Sequence, residues 1–261
     1  MQDLSKRIKF LKLRRKLWKS LPYRIYIEIY ERILAFILKA NKKNTKLIFI
    51  NGMRRSGNHY LMKTLMDSTS ATVFFYNNQK AFKKISLKNG IQTKFRWSKH
   101  ILVIVGFEDL LREDFIRASA FVEDTCFSNA ESLQLLIIRD VRNLMASRLN
   151  HAHLSVGLRA KPHIVERVRK IWYDHHRQWP DTTCHTIRYS YFSTDLKKIE
   201  LKPYHMNFII EPQKVMNRYG GGSSFETNDF DSRYLNFTHD PIYLQLIEGF
   251  QELDEKIHGK W

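Results

Sequence analysis

Residues 46–66 read KLIFINGMRRSGNHYLMKTLM and decide the fold class of the chain. The apolar run before Gly52 predicts a short buried strand, and the periodic apolar residues after Gly57 predict a helix. The turn between them directs free backbone N–H groups and the positive end of the helix dipole towards one point. We therefore expect an anion-binding loop here, to which Arg54 or Arg55 adds charge-assisted hydrogen bonds.

The two glycines of this stretch have the spacing of a nucleotide-binding phosphate loop, G-x-x-x-x-G. The usual continuation is a Lys that holds the terminal phosphates and a Ser or Thr whose hydroxyl holds Mg²⁺. Here Asn58 and His59 occupy those two positions. The departure argues against a kinase or an ATPase and favours a different phosphorylated donor. An ordinary strand–turn–helix junction without a ligand is the alternative.

Apolar runs alternate with helical patterns along most of the chain. This alternation predicts an α/β fold: a three-layer, mostly parallel sheet with phosphate-loop (P-loop NTPase-like) topology. Strands are predicted near 46–51, 72–77, 100–107, 133–139 and 185–191, and helices near 57–67, 110–120, 141–152 and 162–178.

The composition is that of a globular protein with a strongly basic charge balance, a net +18 and a pI near 9.9. Such a charge predicts anionic partners. Only two cysteines occur, Cys126 and Cys184, so we expect no disulfide framework and a reducing, cytoplasmic location. Charges interrupt every apolar run between Lys6 and Lys19, so we expect no secretory signal peptide.

The basic charge is concentrated at the N-terminus. Residues 1–45 hold 13 Lys and Arg against three acidic residues, a net +10. We expect a basic amphipathic helical segment over 1–45, with a second helix from Tyr23 to Ala40, and an α/β domain over 46–261. The second helix contains too many charges for a membrane span. The basic amphipathic segment either lies on an anionic membrane surface, through residues 1–40, or packs on the domain. Nucleic acid is not an expected partner, since no recognition module accompanies the charge.

At the loop after the first strand, the sequence resembles the sulfotransferases that use 3′-phosphoadenosine 5′-phosphosulfate (PAPS). Their donor loop reads Lys-Ser-Gly-Thr-[Ser/Thr]-Trp, and the form G-M-R-R-S-G-N-H is similar to a bacterial-type branch of that superfamily. The resemblance spans about residues 46–250, although only short motifs carry it. It implies that PAPS is the co-substrate and that Tyr60 stacks on its adenine. The implied contacts to the 5′-phosphosulfate come from Arg55, Ser56, Gly57, Asn58 and His59.

A second motif of the resembled family follows the apolar run 133–138. In that family the strand ends in an Arg, a Ser lies eight residues on, and both bind the 3′-phosphate of PAPS. Arg139 and Ser147 have this spacing. An Arg at the carboxyl edge of a strand presents a planar fork to a phosphate, which suits the task. The alternative is that Arg139 only pairs with Asp140.

A third motif is the glycine-rich stretch 218–225. The resemblance implies that Arg218, Gly220 and Gly221 close over the 3′-phosphate, and successive glycine N–H groups are able to form an anion nest. A plain loop is the alternative.

The transfer step needs a base for the acceptor proton and cations for the transferring group. Glu108 follows the strand near 100–107 and is our first candidate for the base, with Asp109 second. Either acid is also suited to capping the following helix. Arg55 and His59 are candidates for stabilising the transferring group. We expect no metal, because His151, His153, His175 and His176 lack partners with metal-ligand spacing and suit polar or surface roles.

Together these features predict a sulfotransferase that moves a sulfuryl group from PAPS to a hydroxyl acceptor, such as a glycan or glycolipid. Two alternatives remain: a phosphate-loop kinase or nucleotide-binding protein, and a non-catalytic basic adaptor that binds membranes.

Overall fold

A computed structural model describes residues 41–83, 85, 91–127, 130–177, 184–206 and 233–259, with scattered positions from 22 to 37. Its strands are β1 Thr45–Gly52, β2 Thr72–Tyr76, β3 Ile91–Lys94, β4 Ile101–Gly106, β5 Glu131–Ile138 and β6 His185–Arg188. Its α-helices are α1 Asn58–Ser68, α2 Arg112–Cys126, α3 Val141–Leu149, α4 Ala152–Ala160, α5 Pro162–Arg177, α6 Phe192–Lys197, α7 Pro241–Ile247 and α8 Gln251–His258. Short 3₁₀ helices occupy Lys42–Asn44, Tyr189–Tyr191, Lys202–Tyr204 and Arg233–Phe237.

The strands form one six-stranded sheet in the order β3-β2-β4-β1-β5-β6. Neighbouring strands are parallel except β3, which runs antiparallel to β2 at one edge. Successive strands lie on one side of β1 up to β4 and on the other side from β5 onwards, so the direction of winding switches beside β1. The predicted α/β fold with a mostly parallel sheet and phosphate-loop topology is confirmed. Open sheets of this kind bind ligands at the carboxyl ends of strands near such a switch.

Alternate residues of the central strand pack on opposite faces of the sheet. Leu47 and Phe49 join a buried cluster with α2, whereas Ile48 and Ile50 join a second cluster with α1. All four are fully buried, which explains why β1 reads as a continuous apolar run rather than an alternating one. Each such side chain contributes about 1.5–3 kcal/mol through burial. The sheet thereby becomes the middle of three layers, and the residues after β1 are held at its carboxyl edge.

Three features differ from the sequence predictions. β3 was not predicted, because the edge strand IQTK lacks an apolar run. The helix predicted over 141–152 ends at Leu149, where Asn150 caps it, and a separate helix, α4, begins after an extended His151. The helices after β6, α6, α7 and α8, were also not predicted.

The described positions between 22 and 37 are helical, as predicted for that segment. The end of this helix is fixed to the domain. Asn41 donates from its side chain to the Ile37 carbonyl at 2.9 Å, and Ile37 packs against the buried cluster that contains α2. Cys126 and Cys184 are both free thiols.

Candidate functional site

The loop of residues 53–57, which joins β1 to α1, has a constrained backbone. The Ser56 N–H donates to the Met53 carbonyl at 3.0 Å, closing a turn in which Arg55 adopts a positive φ of 78°. A positive φ is uncommon for a residue with a side chain and is found often at binding sites. The turn holds the Arg55 backbone in one orientation at the carboxyl end of the central strand.

Gly57 ends the loop at a position that no other residue can occupy without strain. Its φ is 107°, and a Cβ placed there would lie 2.5 Å from the ring of Tyr189. Gly57 is also the N-cap of α1, and since glycine has no side chain it provides no capping acceptor. The first turn of α1 contains no acidic residue. The Tyr60 N–H donates to the Gly57 carbonyl at 2.9 Å, and the uncapped N–H groups of Asn58 and His59, with the positive dipole end of α1, are suited to an external anion.

The interior of the loop is fixed by three polar groups. The buried Ser56 hydroxyl donates to Asn58 Oδ1 at 3.2 Å, and Asn58 Nδ2 donates to the Gly52 carbonyl at 3.2 Å. A Cβ at Gly52 would lie 2.3 Å from Asn58 Oδ1. The side chains of Ser56 and Asn58, predicted to contact the donor, thus also maintain the shape of the loop.

Arg139 and Ser147, predicted from sequence to lie at this site, approach the loop from β5 and α3. Arg55 Nε donates to Ser147 Oγ at 3.1 Å, and Arg139 Nη1 donates to the Arg55 carbonyl at 3.1 Å. The Arg139 guanidinium lies 4.7 Å from the centre of the Tyr189 ring. Its Nε is 3.8 Å from Asp140, so a contact with that neighbour exists but is long. Burial, and then the charge of Arg139, lower the pKa of Arg55.

A buried ion pair supports the loop from the other side. Arg148 Nη1 and Nη2 donate to the two carboxylate oxygens of Asp109 at 2.9 and 3.3 Å. Asp109 Oδ1 also accepts from the Arg54 backbone N–H at 3.0 Å, while Arg148 Nη1 donates to the Arg54 carbonyl at 3.2 Å. The Arg148–Asp109 pair therefore holds both the N–H and the carbonyl of Arg54 by hydrogen bonds.

Glu108 and Asp109, the two candidate bases, lie in different electrostatic environments. Burial raises the pKa of Glu108, and Arg54, whose Nε is 3.2 Å from Glu108 Oε2, opposes the rise only in part. Burial acts in the same direction on Asp109, but Arg148 outweighs it and holds the pKa of Asp109 below its ordinary value. Glu108 is thus the acid whose protonation lies closer to neutrality.

Helix capping, the alternative role for these two acids, does not occur. Helix α2 begins at Arg112 with Leu111 as its N-cap, and no side-chain hydrogen bond is made by that cap. Instead the Arg112 N–H donates to Asp174 Oδ2 of α5 at 2.7 Å.

His59 and Tyr60 occupy the first turn of α1. His59 Nε2 accepts a hydrogen bond of 3.2 Å from Asn77, which follows β2. Burial and then Arg55 lower the pKa of His59, so its ring is neutral near pH 7. The half-buried ring of Tyr60 packs 4.6 Å from Phe192, centre to centre. Adenine stacking by Tyr60 stays a prediction.

The remaining histidines, predicted to have polar or surface roles, have both: His153 is exposed, and the others make polar or ring contacts. His175 and His176 are buried: the first lies 2.7 Å from the Leu110 carbonyl, and the second stacks on Trp172. His151 is half-buried, and after burial itself the charge of Arg55 lowers its pKa, which places it close to the loop. Among the described residues there is no group of three or more His, Cys, Asp or Glu suited to a metal ion.

Three predicted site residues, Arg218, Gly220 and Gly221, lie outside the described residues. The structure adds residues that the sequence analysis did not assign to the site, chiefly Tyr189 and Asn77. Both follow the carboxyl ends of parallel strands, β6 and β2, and this position was the available signal.

The assembled site contains the α1 N-terminus, two guanidinium groups and a hydroxyl. This arrangement suits an anion with more than one charged group.

The chain was compared with protein-family models, curated protein sequences and solved structures. No protein-family model and no curated protein sequence matches the chain. The crystal structure of the mouse sulfotransferase SULT7A1 complexed with PAP is similar over 66% of this chain, with 15% sequence identity and a TM-score of 0.37. The chain spans 64% of the length of that structure.

Proposed function

We propose that the chain transfers a sulfuryl group from PAPS to a hydroxyl acceptor. The observation that carries this proposal is the convergence of Arg55, Arg139 and Ser147 at one loop. Two guanidinium groups in a buried region repel each other, and this repulsion contributes to the lowered pKa of Arg55. A ligand with several negative charges offsets the repulsion, as a nucleoside bisphosphate does.

The residues present fit such a donor. Arg139 is buried, and its guanidinium Nε has no hydrogen-bond acceptor within the described part of the chain. With Ser147 it would hold the 3′-phosphate. The 5′-phosphosulfate would lie on the loop N–H groups at the α1 N-terminus, beside Arg55, where the glycines at 52 and 57 keep the backbone clear of Cβ atoms. The bound donor supplies an activated sulfuryl group on a bridging phosphate oxygen.

The chain's own groups then have distinct tasks. Glu108 would accept the acceptor's proton as the new S–O bond forms and the bridging S–O bond breaks, releasing the bisphosphate. Asp109 is unsuited to this task, because both of its oxygens accept from Arg148. Arg55 would stabilise the charge that develops on the leaving phosphate oxygen, and His59 would contribute as a neutral donor.

The proposed acceptor is a glycan or a glycolipid, which is suggested by the basic N-terminal segment and its suitability for a membrane surface. Transfer of radiolabelled sulfate to a soluble oligosaccharide and to its lipid-linked form would discriminate between these classes.

The donor proposal is tested by calorimetric titration of the full chain with 3′-phosphoadenosine 5′-phosphate and, separately, with Mg·ATP. We expect selective binding of the bisphosphate. Ser147→Ala should weaken it about 10-fold and Arg139→Lys about 10- to 100-fold, since each removes a charge-assisted hydrogen bond. Ser155→Ala is a matched control, because Ser155 also accepts from an arginine, Arg159 Nε at 3.3 Å, on an exposed helix.

Preference for Mg·ATP would refute the sulfotransferase proposal and revive the kinase alternative. Equal affinities in the Ser147→Ala and Ser155→Ala variants would show that the bisphosphate binds elsewhere. Circular dichroism of each variant separates a loss of binding from a loss of folding.

A further inference from the structure

We propose that one basic, apolar face of the protein, formed by the described helical positions between 22 and 37 and by the described residues of 80–99, docks on an anionic lipid bilayer. This inference does not depend on the donor site. The first observation is an exposed apolar stripe on the N-terminal helix. Ile25, Ile29, Ile33 and Phe36 follow one another at helical spacing and are between 49 and 73% exposed. Spacings of four, four and three residues place them on one side of a helix.

The helical positions that carry this stripe are joined to the domain through Ile37. Ile37, the next residue, packs against the buried cluster on the α2 face of the sheet. Two exposed aromatic rings lie against the same cluster: Phe95 packs on Phe74 at 6.1 Å, and Phe82 packs on Phe121 at 6.5 Å between ring centres. Ile37, Phe82 and Phe95 therefore all lie on the α2 face of the sheet.

The basic charge of the chain lies around these two segments: within 22–37 two Arg and two Glu cancel, and the N-terminal excess stands in the sequence on either side of those positions. Residues 1–45 carry a net +10, and residues 80–99 hold seven Lys and Arg and no acidic residue. Together they account for +17 of the net +18 of the chain. Lys80, Lys83 and Lys99 are exposed, and so is Trp97, an indole of the kind that membrane interfaces favour. The other 196 residues are nearly balanced in charge.

This combination identifies the partner. Lysines beside exposed apolar groups bind an anionic bilayer by two additive contributions, the attraction to lipid headgroups and the burial of apolar side chains at the acyl boundary. Aromatic and basic residues also occur on nucleic-acid surfaces, but aliphatic isoleucines contribute little there. No helix among the described residues has the length and apolar character needed to span a bilayer.

The test is co-sedimentation of the full chain with phosphatidylcholine vesicles that contain no or 30% phosphatidylserine. We expect binding to the anionic vesicles only, with release at high salt. Ile29→Ser/Ile33→Ser should weaken binding by about tenfold for each side chain. Lys80→Gln/Lys83→Gln/Lys99→Gln should weaken it by about fivefold for each charge.

A matched control is Val156→Ser/Leu244→Ser, which removes exposed apolar side chains from α4 and α7 and should bind vesicles like the wild type. Calorimetric titration with the bisphosphate should be unchanged in the isoleucine variant, which separates this proposal from the donor site.

Several outcomes would overturn the proposal. The first is equal binding to both vesicle types, and the second is equal vesicle affinity of the isoleucine variant and its control. A third is a dimer of the wild type that dissociates in the isoleucine variant without any vesicle binding, since the stripe would then be covered by a second copy. A fourth is binding to single-stranded RNA with no binding to vesicles.

Discussion

Replacing Arg148 with methionine should destabilise the folded protein by about 3 kcal/mol. Methionine keeps the apolar stem of the side chain but removes both hydrogen bonds to Asp109, at 2.9 and 3.3 Å. With an effective dielectric constant of about 20, two unit charges about 3 Å apart attract by roughly 5 kcal/mol. Breaking a buried pair from one side costs about 3–5 kcal/mol because the other charge is left uncompensated. Arg54 Nε remains 3.4 Å from Asp109, which favours the lower end of that range.

Urea-induced unfolding at neutral pH measures this loss, and thermal unfolding should show a fall of about 6–12 °C in Tm. Arg117→Met is the matched control, since Arg117 pairs with Asp114 at 3.2 Å on an exposed helix face. Its loss should be at most about 0.5 kcal/mol. A double variant, Asp109→Asn/Arg148→Met, should lose less than the sum of the single variants, because each single change strands one charge.

The stabilisation by the Arg148–Asp109 pair should decrease as the pH falls. The folded-state pKa of Asp109 is depressed, so the stabilisation by the pair is present above the ordinary carboxyl pKa and is lost as the pH falls through the folded value. The difference between wild type and Arg148→Met should be largest near neutral pH and shrink as the pH falls, because without Arg148 burial raises the pKa of Asp109 and the variant is protonated first. A variant within 0.5 kcal/mol of wild type would refute the reasoning that this pair stabilises the loop.

Two further predictions concern the loop and its neighbouring acid. Gly57→Ala should lower the free energy of unfolding in urea by roughly 1 kcal/mol more than Gly249→Ala. Both glycines have a positive φ, but of the two only Gly57 has a group, the Tyr189 ring, that an added Cβ would meet. Equal losses of stability in the two variants would contradict this geometry. Carbon-13 NMR titration should place the pKa of Glu108 above its ordinary 4.5, and Arg54→Met should raise it further by removing the cation that lowers it; an unchanged or lower value in Arg54→Met would contradict the assigned contact.

Much of the fold was predictable because the central strands are apolar on both faces. The five parallel strands coincide with the predicted runs to within three residues at either end. The strand IQTK of β3 was not predictable in this way, since an edge strand of four mixed residues has no distinctive pattern. The break at Asn150 was also not predicted, because the apolar pattern of α3 continues into α4 without a Pro or Gly between them.

The residues of the candidate site were likewise predictable only in part. Arg139 and Ser147 were assigned to the site through the resemblance, and their approach to Arg55 agrees with it, since the carboxyl ends of parallel strands share one edge. The Arg148–Asp109 pair joins residues 39 positions apart, and no local sequence pattern predicts it. The same holds for Tyr189, whose ring lies against Gly57 only because β6 is placed beside β5.

Glu108 and Asp109 show why residue type and position alone do not assign a base. Both are acids at the end of β4, and burial raises the pKa of each. Asp109 has a positive φ of 56°, and its carboxylate accepts from Arg148 and from the Arg54 N–H. Glu108 has a single salt bridge to Arg54, a residue whose side chain is 43% exposed and therefore more weakly coupled. One acid thus fixes the loop, while the other has a raised pKa, which favours it for the proton transfer that we propose. The two roles are separable by changing Arg148 or Arg54 alone.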